Sequence, residues 1–158
     1  MILKNNYYCL IAGLPEVFLD DRKLSLSVNG FRELAQGALK KEDVKLMNLF
    51  FLPADNKQVL RLLNKMEPDT ALETVYPLQH LEDEIAEPKN SLPAYLNQFI
   101  ADFKGEHLKY ETSPENVLSW MYYDYMMNCG NKFVRKYAEF SMNIKNLVVA
   151  FTCRKYGK

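Results

Sequence analysis

Few residues in this chain are typed and spaced for chemistry. His80 and Glu84 stand four apart, the spacing that sets two possible metal ligands on one helix face. No HxxxH or HExxH pattern adds a third ligand, and His107 is the only other histidine. The pair therefore reads as solvated and polar. The run "EDEIAE" at 82–87 offers Glu82, Asp83 and Glu84 as carboxylates for acid–base work, but such runs are usually a solvated face. Tyr122, Tyr123, Asp124 and His107 are the residues on which an unrecognised helical active site would draw. Cys9, Cys129 and Cys153 are far apart, form no CxxC and lie among apolar or aromatic neighbours. They read as reduced core thiols of a cytosolic protein. There is no GxSxG, and the six glycines form neither GxGxxG nor a phosphate loop. No catalytic, metal-binding or cofactor-binding residue is assigned. The expectation is a chain that by itself binds neither a transition metal nor ATP.

The elements that would hold these residues are helices. A chain of 158 residues that is 48% apolar is one domain's worth, and can bury about two thirds of its unfolded surface. Lys and Arg total 20 and so do Asp and Glu, giving zero net charge. That balance argues against a nucleic-acid partner. Basic residues do mix with aromatics at Lys132, Arg135, Lys136, Lys145, Arg154 and Lys155, but most of those aromatics fall on one stripe rather than on the basic face. No stretch reaches the roughly 18 apolar residues of a membrane helix, so no direct insertion is expected. The opening "MILKNNYYCLIAGLP" lacks the build of a targeting segment and reads as a short extended or helical piece.

Periodicity predicts an all-α array of about six helices. The first covers Val28 to Leu39, and the second is "KKEDVKLMNLFFL", stopped by Pro53. Asp55 is expected to cap the third, "NKQVLRLLNKM". Together these form a front lobe, 1–66. Pro68, Pro77 and Pro88 then mark a linker or loosely held arm, 67–90, with one turn of helix around Leu78 to Ile85. The back lobe, 91–158, holds three helices. One begins near Ser91 and ends at Gly105. The next has Ser113 as N-cap, Pro114 at the first helical position and Gly130 as its close. The last runs from Asn131 to Gly157.

That last helix carries a seam. Phe133, Tyr137, Phe140, Ile144, Leu147 and Phe151 step by four and three residues. The seam reads as buried, so Phe140→Ala should cost about 3–5 kcal/mol. Asn143 and Asn146 would bond to neighbouring helix ends and fix its register. Tyr122, Tyr123 and Tyr125 nearly encircle the preceding helix. An exposed apolar patch is therefore expected near Trp120 to Tyr125 or on the second flank of the last helix, with self-association through it.

The stretch "NVLSWMYYDYMMNCGNKFVRKYAEFSMNIKNLVVAFTCRKYG" resembles an uncharacterised bacterial family whose genes sit among those for a V/A-type ATPase, and "YYCLIAGLPEVFLDD" resembles that family's start. The family is in turn similar to the C subunit of V/A-type ATPases, called the d subunit in eukaryotes, a helical socket between the membrane rotor ring and the central stalk. The C-subunit repeats read Asp-x-x-Asn-aliphatic-Lys, then aliphatics and Arg. Here Asn143, Ile144 and Lys145 match, with Phe140 at the Asp position and Val149 at the Arg position. "DNKQVL" at 55–60 echoes "NIKNLV" at 143–148.

The resemblance implies a non-catalytic coupling subunit, cytoplasmic and peripheral to the inner membrane. Its partners would be the stalk and ring subunits, and Trp120, Tyr122, Tyr123, Asn143, Asn146 and Arg154 are the candidate contacts. The family is longer than 158 residues, so the chain reads as its N-terminal part. The alternatives are a helical adaptor unrelated to the ATPase, or an enzyme.

Overall fold

A computed structural model describes residues 7–18, 20, 22, 24–108 and 112–157. The fold is all-α, with eight helices and no strand among the described residues. Parts of two readings, the N-terminal run at residues 1–6 and the turn at Asp21 and Lys23, lie outside the described residues. The chain forms two compact units, 1–48 and 49–158.

The first unit holds α1 (Tyr8–Ala12), α2 (Val28–Ala38) and α3 (Lys41–Asn48). The N-terminal apolar run is thus one turn of helix rather than extended chain. Cys9 on α1 is exposed and not a core thiol. Ser27 caps α2, its hydroxyl accepting the Gly30 N–H at 3.1 Å. Ala35 is the buried contact of α2, which packs on α3. The Tyr7 hydroxyl donates to the Asp43 carboxylate and accepts the Lys40 N–H at 3.4 Å.

The second unit is a bundle of α4 (Leu52–Leu63), α5 (Leu78–Ala86), α6 (Ala94–Lys104), α7 (Pro114–Met127) and α8 (Lys132–Tyr156). Helix α7 is its hub, packing on α4, α6 and α8. Val59, Leu81, Leu96, Phe99, Leu118 and Met126 are fully enclosed. Each such side chain contributes about 1.5–3 kcal/mol through apolar burial. Two polar links cross this core. The Tyr95 hydroxyl donates to Asn56 Oδ1 at 2.7 Å, and that of Tyr122 donates to the Leu49 carbonyl at 3.1 Å. Burial pushes both phenols well above the usual tyrosine range, so they stay protonated donors.

Pro53, expected to stop a helix, instead lies in the first turn of α4, where its missing N–H loses no intrahelical bond. Asp55 is therefore not the N-cap. It is fully buried inside the first turn, and its carboxylate accepts the N–H of Val75 and of Tyr76, each at 2.9 Å. Gln58 Oε1 accepts the Asp69 N–H at 3.2 Å, and Arg61 Nε donates to the Glu67 carbonyl at 2.9 Å. Residues 67–77, expected as a loose linker, are thus fastened along α4. The single expected turn after them is the nine-residue α5.

Candidate interaction surface on helices α7 and α8

Helix α8 is long and capped at both ends. Asn131 caps its start, with Oδ1 accepting the N–H of Phe133 at 2.9 Å and of Val134 at 3.2 Å. Arg154 and Lys155 suit the dipole of its last turn. Gly157 ends it at φ +66°, a left-handed conformation that favours glycine. Its 25 residues span about 37 Å.

Val134 and Ala138 are the buried residues of α8. The expected buried seam is not buried. Phe133 is 70% exposed, Phe140 64% and Phe151 68%, and Tyr137, Ile144 and Leu147 are exposed as well. The heptad-like spacing is real, but α8 meets α7 through a different face. The start of the stripe has an aromatic neighbour: Phe50 lies 4.9 Å from Tyr137, edge-on, and 6.3 Å from Phe133. Asn143 and Asn146 are exposed too, so neither sits in a buried seam.

A groove of about 550 Å³ lies where α7 meets the second half of α8. Trp120 and Tyr123 line it from α7, and Met142, Lys145, Val148 and Val149 from α8. Asn146 and the seam residue Ile144 complete that wall. Trp120 is 52% exposed. Lys145 Nζ donates to Ser119 Oγ at 3.1 Å and lies 5.3 Å from the centre of the Tyr123 ring, tying the two helices together beside the groove. Three of the candidate contacts, Trp120, Tyr123 and Asn146, thus meet on one surface. Asn143 and Arg154 are exposed elsewhere on α8. Tyr122 is a correction, since it belongs to the core. Tyr123 also turns most of its ring inward, so the exposed patch expected at 120–125 reduces to Trp120.

The acid–base candidates do not converge. Tyr122 and Tyr123 are buried, Asp124 is exposed, and His107 lines a separate pocket with Gln98, Asp102 and Trp120. The acidic run is also not uniformly solvated, because Glu84 is buried. Glu84 and His80 meet through Ser91, which the sequence marks as a helix start; α6 begins instead at Ala94. Ser91 Oγ lies 2.5 Å from Glu84 Oε1 and 2.8 Å from His80 Nε2.

A serine beside an imidazole is the geometry of a nucleophile and its base. Here the hydroxyl proton points to the carboxylate, which can only accept, so the hydroxyl accepts from His80 and is not activated by it. Glu84 also accepts the N–H of Lys89 at 3.0 Å and of Ser91 at 3.3 Å. With these bonds the group clamps the loop after α5. The Ser91 hydroxyl above all holds the Glu84 carboxyl below the usual glutamate range. Among the described residues, no His, Cys, Asp and Glu group of three or more is placed to hold a metal, and no helix is long and apolar enough to cross a membrane.

Residues 4–158 match the model of a family described as "Protein of unknown function (DUF2764)". No curated protein and no solved structure matches.

Proposed function

We propose that this chain, which belongs to the DUF2764 family, is a non-catalytic coupling subunit of a V/A-type ATPase, joining the central stalk to the membrane rotor. The observation that carries this reading is α8. It is a 25-residue helix, capped at both ends, that buries Val134 and Ala138 near its start and leaves the apolar row from Phe133 to Phe151 exposed. Exposed Phe, Ile and Leu in a regular row are costly to leave in water and useful once a partner covers them. The resemblance of 116–157 to a family encoded beside ATPase genes, and the match of Asn143, Ile144 and Lys145 to the C-subunit repeat, give that partner a class.

On this reading the protein is cytoplasmic and reaches the inner membrane through the complex. Its polar core groups serve the scaffold. Asp55 fastens 67–77, Glu84 clamps 87–91, and Tyr95 and Tyr122 brace the bundle. The test is affinity capture of the tagged chain from native membranes, followed by identification of what comes with it. Stalk and ring subunits of the ATPase, in fixed ratio to the bait, are the expected result. Their absence, with the bait intact, contradicts the reading.

A further inference from the structure

We infer that the uncovered stripe of α8 docks an amphipathic helix with acidic flanks. The inference rests on the coupling-subunit reading only for the identity of the protein that supplies this helix. Its basis is the charge on α8. Lys132, Arg135, Lys136, Lys145, Arg154 and Lys155 stand against Glu139 alone, six cations to one anion. Helix α8 is thus +5 in a chain whose net charge is zero, and all seven of these side chains are exposed.

Three of the cations border the stripe. Lys136 falls three residues after Phe133 and four before Phe140, and Arg154 and Lys155 fall three and four after Phe151. At these spacings they stand beside the apolar row, Lys136 near one end and the other two near the other. From Phe133 to Phe151 the row runs about 27 Å, five turns of helix. A second helix of about the same length, with apolar residues at three- and four-residue steps, covers that row. Acidic residues on its flanks meet Lys136 and Arg154, which favours its approach and fixes its register.

Two other occupants fit less well. A second copy would oppose one +5 helix with another, and like charges facing each other resist pairing. A flat anionic bilayer reaches one side of a helix. Leu147 and Val149, two positions apart and so on nearly opposite sides of α8, are both exposed, and Val149 lies in the concave groove with Trp120.

The experiment places the photo-crosslinking residue p-benzoyl-phenylalanine at position 140 or 151 of the full chain in its own cells. The cross-linked segment is then sequenced. An adduct on a segment with helical apolar spacing and net negative charge is expected. The yield should fall about tenfold when Lys136→Glu and Arg154→Glu are added together, with the melting temperature unchanged. An adduct with a neutral or basic segment, with a second copy of this chain or with lipid overturns the inference. So does the lack of any adduct, or a yield indifferent to the two charge reversals. Which protein supplies the segment bears only on the ATPase reading. An acidic helix from an unrelated protein supports the docking chemistry and sinks the coupling role.

Discussion

Phe99 and Phe140 are the same residue in opposite surroundings. Phe99 lies fully enclosed between helices of the second unit, while Phe140 stands in solvent. Phe99→Ala should cost about 3–5 kcal/mol, the transfer loss plus an unfilled cavity. Phe140→Ala in the isolated chain should change stability by no more than about 0.5 kcal/mol. Urea unfolding of the two variants checks both values. Equal losses would mean that the stripe is covered by the chain itself.

Glu84 gives a pH test at the same scale. Its carboxyl is held below the glutamate range in the folded protein, first by the Ser91 hydroxyl. A carboxyl lowered by folding adds stability that is fully present above the unfolded pKa of about 4.3 and is lost as pH falls through the lower folded value. Glu84→Gln should therefore lower stability at pH 7 and flatten its decline below about pH 4. A set of melts from pH 7 to pH 3 reads both effects. A variant whose decline is as steep as the wild type's would remove Glu84 from the acid transition.

Among elements, the cap and the clamp are the exposed weaknesses. Asn131→Ala removes the acceptor for two N–H groups of α8 and should cost about 1 kcal/mol. Asp55→Ala strands the N–H groups of Val75 and Tyr76 beside α4, and about 3 kcal/mol is expected. Hydrogen exchange should then speed up selectively across 67–77, and unchanged protection there would contradict the clamp. How far the sequence reached follows the same line. Helix α2 is legible from its apolar spacing, and the start of α7 and the end of α8 from Ser113 and Gly157, local signals that act on their own helix ends. The Ser27 cap of α2 is not among the sequence readings. Asp55 was misplaced because its bonds go to residues twenty positions away, which no helix-start pattern encodes. Ser91 reads as a helix start rather than as a partner of Glu84, because Glu84 looks like one member of a charged run. The stripe on α8 was legible as apolar and periodic, but periodicity shows that a face is apolar and not what covers it.

For the whole molecule, the chain carries a bundle with its own core and one long helix whose second apolar face has no cover within that bundle. The central claim is that this face is where the protein joins a V/A-type ATPase. Ile144→Glu with Leu147→Glu places two charges in the middle of the stripe, at positions exposed in the isolated chain. The change should leave its melting temperature within a few degrees of wild type. The most direct measurement is capture from native membranes with the wild-type and the doubly substituted chain side by side. The account predicts stalk and ring subunits with the wild type and their loss with the variant. ATPase subunits that come equally with both chains, or with neither, would contradict it.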